Sequence, residues 1–112
     1  MLTNKDYCDY ETCVALMEIG YPPYAFGDER WDEHFANISL YEAQKWLREE
    51  KKIEVNASFD KKDDGWIAFI QRLDYPDLYG TDVFSTVYNT YEAALLVSIK
   101  EAVKILTNNK NE

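Results

Sequence analysis

The sequence predicts an α+β fold: a three-stranded antiparallel meander covered by a C-terminal helix, with two N-terminal helices before it, in the order α-α-β-β-β-α. Three observations carry this expectation. Between Asn89 and Leu106, the residues Tyr91, Ala94, Leu95, Ser98, Ile99, Ala102, Val103 and Leu106 recur as one stripe at helical spacing, wide enough to cover a sheet. Upstream, the segments 53–59, 66–73 and 83–88 alternate or run apolar as strands do. The connections between them are short, which suits antiparallel neighbours. A length of 112 residues with 46% hydrophobic and 15% aromatic content is enough for one core, so 1–112 is read as a single domain.

The elements follow in order. Asp9 is placed to cap a helix over 9–19, with Tyr10, Cys13, Val14, Met17 and then Tyr21 on one side and Glu11 in the first turn. Gly20 stops it, and Pro22-Pro23 forbids continuation. Residues 21–38 form an irregular segment in which Tyr24, Phe26, Trp31 and Phe35 alternate with acids. Ser39-Leu40-Tyr41-Glu42 is a capping box that opens a helix over 39–50, with Leu40, Ala43, Trp46 and Leu47 as its apolar face.

Ile53, Val55, Ala57 and Phe59 alternate with polar residues, the pattern of a strand with one wet face. The run from Asp60 to Gly65 is a turn signal. The second strand is apolar on both sides and is placed centrally. The third strand, 83–88, leads to a second apparent capping box, Asn89 to Glu92, opening a helix over 89–106 with a frayed tail from Thr107. Tyr10-Glu11, Tyr41-Glu42 and Tyr91-Glu92 each open a helix at irregular spacing, which is shared helix-start chemistry rather than a repeat.

Twenty-one acidic against 12 basic residues give a net charge of -9, and eight of the acids with only two bases fall in the first 39 residues. Such a surface repels phosphates and anionic headgroups, so neither nucleic acid nor membrane is expected as a partner. Met1 to Asp6 lacks the apolar segment of a secretory signal, and the longest greasy run, Ala93 to Val97, is far short of the roughly 20 residues that span a bilayer. A cytoplasmic protein is expected. Cys8 and Cys13, five apart, fall on different faces if that segment is helical. Reduced, partly buried thiols are therefore expected rather than a local disulfide.

No pair among Cys8, Cys13 and the lone His34 has metal-ligand spacing, and the four glycines are isolated rather than gathered in a phosphate loop. No metal, no cofactor and no catalytic residue is expected, and the chain is read as a non-enzyme. The order helix, three strands, helix resembles double-stranded-RNA-binding domains and the HicB-type antitoxin fold. In the RNA binders, lysines at the start of the closing helix hold phosphates. Asn89-Thr90-Tyr91-Glu92-Ala93-Ala94 has no base there, which argues against RNA binding.

Particular words carry a closer resemblance: Tyr7 to Glu11, Leu40 to Glu49, Gly65-Trp66 and Thr90 to Leu95. They are similar to a family of small proteins of gut Bacteroides, their prophages and mobile elements, and the likeness covers almost the whole chain outside 21–38. It implies a bacterial, phage or mobile-element origin and carries over no functional residue. The expected function is a small binding module whose unknown protein partner is contacted by Tyr24, Phe26, Trp31 and Phe35, since aromatics dominate protein contacts. The alternatives are an acidic DNA mimic of the counter-defence kind and an enzyme using His34.

Overall fold

Asp9 starts α1 (Tyr10–Glu18) by accepting the Thr12 amide at 2.9 Å, the role for which a short carboxylate at the N-cap is suited. The helix ends as a glycine stop should. Gly20 takes φ +114°, its amide donates to the Met17 carbonyl, and the Tyr21 amide reaches back to the Leu16 carbonyl. That is the paired bonding of a Schellman cap. The computed structural model describes residues 6–22, 38–74, 81–83 and 86–110.

The buried face of α1 is Thr12, Cys13 and Leu16, continued by Ile19 and Tyr21. Tyr10 is 52% exposed and Val14 and Met17 are half-buried, so the expected face is turned by about a residue. Spacing alone could not separate the two faces, because apolar residues lie on both.

α2 (Leu40–Glu50) opens with the expected capping box, in which Ser39 Oγ accepts the Glu42 amide at 3.0 Å and Glu42 Oε1 accepts the Ser39 amide at 3.3 Å. Leu40, Ala43 and Leu47 are fully buried. Trp46 lies edge-on to Tyr21 with centroids 5.2 Å apart, and Lys51 sits over its ring. Ser39→Ala is expected to lower stability by about 0.5–2 kcal/mol. The shift should appear in the urea midpoint at unchanged m-value; an unmoved midpoint would remove the box from the interactions that hold α2.

β1 (Ile53–Asp60) and β2 (Gly65–Arg72) form an antiparallel hairpin in full register from Ile53 opposite Arg72 to Asp60 opposite Gly65. Ile53, Val55 and Ala57 on β1 and Ala68 and Ile70 on β2 share the buried face, as the period of two requires. The outer edge of β1 is partly occupied: Gln44 Nε2 of α2 donates to the Val55 carbonyl at 2.9 Å, and Asn56 Oδ1 accepts the Ala57 amide at 2.8 Å.

The expected three-stranded meander with its third strand over 83–88, and with it the order α-α-β-β-β-α, is corrected. Two full strands build the sheet, giving α-α-β-β-α. Among the described residues, the other side of β2 carries a three-residue edge piece, β3 (Thr81–Val83), opposite Phe69–Gln71. Tyr88 rejoins β2 as an isolated bridge to Trp66, its amide and carbonyl bonded at 2.7 and 2.8 Å. Between the Val83–Phe69 and Tyr88–Trp66 pairs the register slips by two residues, so a continuous ladder over 83–88 is geometrically closed off. Periodicity gives the faces of a strand and says nothing of whether its partner has enough residues to match it.

α3 (Tyr91–Lys110) packs across β1 and β2 and touches α2 and α1. Ala94, Leu95, Ser98, Ile99, Ala102 and Val103 are buried, with Ser98 Oγ satisfied by the Leu95 carbonyl at 2.7 Å. The cap is Thr90, whose hydroxyl accepts the Ala93 amide at 3.1 Å, not the expected Asn89. The helix also runs past Thr107, where a frayed tail was expected. No described helix is long and apolar enough to cross a membrane.

Candidate protein-interaction surface

Phe59 and Trp66 lie directly opposite each other where the hairpin turns, on the continuation of the helix-covered face. Their rings meet edge-to-face with centroids 5.2 Å apart, and Trp66 meets Tyr91 of α3 in the same way at 5.3 Å. Each such pair adds about 0.5–1.5 kcal/mol beyond its burial. The Tyr91 hydroxyl donates to Asn56 Oδ1 at 3.1 Å, tying the first turn of α3 to β1. Phe59 remains 48% exposed and Trp66 and Tyr91 are half-buried, so the chain of rings is anchored at one end and open at the other.

Tyr41, in the first turn of α2, is a further exposed ring. It is 39% exposed, and its hydroxyl donates to Asp6 Oδ1 at 3.0 Å. Partial burial and then the bond to Asp6 push its phenol up to about 12, so it stays a donor at neutral pH. Of the tyrosine-glutamate helix starts, Tyr91 thus joins the run of rings and Tyr41 holds the acid Asp6.

Tyr7, Cys8 and Asp9 run along the first turns of α3 and leave a cleft of about 380 Å³ against Thr90, Glu92, Ala93 and Leu96. Asp9 Oδ2 bonds Lys100 Nζ at 2.8 Å, with both side chains about half-exposed. Burial raises the Asp9 carboxyl, but Lys100 and the Thr12 donors outweigh it and hold the carboxyl below the ordinary 3.8. Any stability from this depressed group is complete above pH 3.8 and fades as pH falls through the lower folded value. Asp9→Asn should therefore flatten the acid limb of the stability curve below that pH, and an acid limb identical in both proteins would count against the pair.

Cys8 and Cys13 do not lie on different faces, as expected if both were helical. Cys8 precedes the Asp9 cap and Cys13 is the fourth helical residue, the two positions that a hydrophobic staple brings together. Both are buried, at 6% and 0% exposure, and Cys13 Sγ lies 3.8 Å from the Cys8 carbonyl. The signal was in the sequence once Asp9 was read as the cap. Likewise Phe59 and Trp66 flank the turn signal symmetrically, which is the mark of a cross-strand pair.

The aromatics singled out by sequence, Tyr24, Phe26, Trp31 and Phe35, and also His34, lie outside the described residues. Among the described residues no group of three or more histidine, cysteine or carboxylate side chains is placed to hold a metal ion. Compared with known proteins, the chain matches no family model, enzymatic or otherwise, no curated protein and no solved structure, so its reading rests on these residues.

Proposed function

We propose that this chain is a small non-enzymatic binding module that takes a basic protein segment on the aromatic end formed by Phe59, Trp66 and Tyr91. The observation that supports it is the continuous edge-to-face run of Phe59, Trp66 and Tyr91, open at Phe59, on a chain of net charge -9. Aromatic anchors with a polar rim are the usual make-up of an energetic centre in protein contacts. The charge selects a cationic partner and adds a salt-sensitive encounter rate. A mobile-element origin is suggested by the resemblance of its sequence words and belongs to the same proposal.

The DNA-mimic alternative needs a contiguous acidic face. Asp9, Glu54 and Glu101 each sit beside a base instead, Lys100, Arg48 and Lys104, which disfavours it.

The test compares capture from a bacterial lysate by the wild type, Phe59→Ala and Trp31→Ala, all verified as folded by circular dichroism. The expected result is a basic protein retained by the wild type, lost with Phe59→Ala and weakened by added salt. Equal capture by wild type and Phe59→Ala would reject this surface. Loss with Trp31→Ala alone would move the contact to the 21–38 segment.

A further inference from the structure

We propose that Cys8 and Cys13 form a dithiol–disulfide site, closed by exchange with a low-molecular-weight disulfide and reopened by thiols, that staples the start of α1 covalently. The geometry rests on the N-cap. With Asp9 at that position, the residue before it and the fourth residue after it are held side by side by packing alone. Here both are cysteines, both are buried in one core, and the Cys13 sulfur reaches back to the Cys8 carbonyl. A cysteine pair five apart within one helix would lack this proximity. The cap converts the spacing into a contact.

Access comes from the cleft against α3, of which Cys8 is a wall and from which Cys13 is shielded. The contact between the two sulfurs favours charge on Cys13, whose pKa the Cys8 thiol and the Ile38 backbone lower, while that contact and burial push the Cys8 thiol up. Of the two thiols only Cys8 lines the cleft, so the attacking form is the minor one in which its proton has passed to Cys13 against that preference, which makes closure slow. Cys8 then attacks glutathione disulfide, forming a Cys8–glutathione mixed disulfide and releasing one glutathione thiolate, which takes up the proton leaving Cys13. The Cys13 thiolate attacks the Cys8 sulfur, the mixed bond breaks, and the second glutathione leaves with a proton from solvent. Two protein thiols are oxidised by two electrons and one glutathione disulfide is reduced to two thiols.

Closure bears on more than α1. The Cys8 amide donates to the Ile38 carbonyl at 2.9 Å, and Tyr7 bridges Ser39, the cap of α2. The staple therefore lies where the starts of α1 and α2 are fastened together.

The test equilibrates the folded chain in buffers of graded oxidised-to-reduced glutathione, blocks remaining thiols with an alkylating agent, and reads intact mass and linked peptides. The expected result is loss of two hydrogens, a peptide joining Cys8 to Cys13, full reversal by dithiothreitol, and a thermal midpoint several degrees higher in the oxidised form. Cys8→Ser and Cys13→Ser should each lose this product, with Cys13→Ser accumulating the mixed disulfide at Cys8. The proposal is overturned if the wild type stays reduced at every ratio, stops at a glutathione adduct, or links only between chains. It is equally overturned if the bridge forms only in denaturant.

Discussion

Replacing Leu95 by alanine is expected to lower the unfolding free energy by about 2–5 kcal/mol. Leu95 is fully buried in the cluster that joins α3 to Val55, Ile70, Leu16 and Leu47. The cluster draws on a sheet face and on three helices, so no single element can move in to fill a space in it without opening another contact. A partial collapse leaves a cavity whose cost adds to the lost transfer of the side chain. Against a total of about 5–15 kcal/mol for a small domain, this is enough to bring the chain close to unfolding. Urea titration followed by circular dichroism measures it, with half-buried Leu106→Ala as the milder comparison. A Leu95→Ala loss no greater than that of Leu106→Ala would mean that α3 is not seated on the sheet.

The second large effect is expected at Gly65, where alanine should cost about 1–3 kcal/mol through overpacking. The reason is space and not backbone angle. A β-carbon there would run into the Val87 Cγ1 methyl and approach the Tyr88 carbonyl oxygen to 2.9 Å. The valine can turn aside, but the carbonyl cannot, because it accepts the Trp66 amide at 2.8 Å in the one bridge that returns the chain to β2 before α3. Gly65→Ala must therefore push Tyr88 outward and loosen Trp66, whose ring is the middle member of the aromatic run. A lowered urea midpoint together with a changed Trp66 environment in near-ultraviolet circular dichroism is the expected pair of signals. If stability is unchanged, the close approach of the 86–88 segment to the hairpin is wrong.

The elements legible in the sequence are those whose signal is local. The capping box at Ser39, the glycine stop at Gly20 and the stripe from Ala94 to Val103 each depend on residues within a turn or two of one another. The third strand was misjudged because its extent depends on how many partners β2 offers, which no local pattern records. The face of α1 was misjudged because Tyr10, Val14 and Met17 are as apolar as Leu16 and Ile19. Only the position of α3 decides which set is covered.

The aromatic end was missed for a related reason: Phe59, Trp66 and Tyr91 belong to three elements, and each alone reads as ordinary core. The cysteine contact is the instructive case. The cap and the spacing are both in the sequence: a helical Cys8 would lie on another face from Cys13, and its place before the Asp9 cap brings the two together.

The two side-chain amides at the margin of the hairpin have a consequence for how the protein behaves when crowded. A bare strand margin is a template on which another chain can extend the sheet, and such growth is how ribbons and fibrils begin. By taking the Val55 carbonyl and the Ala57 amide, Gln44 and Asn56 remove consecutive docking points from the stretch of β1 that an incoming strand would have to match. The protein can thus leave the Phe59 ring exposed at one tip while the Val55–Ala57 backbone of its strand margin is already engaged, which hinders indiscriminate polymer growth from that margin.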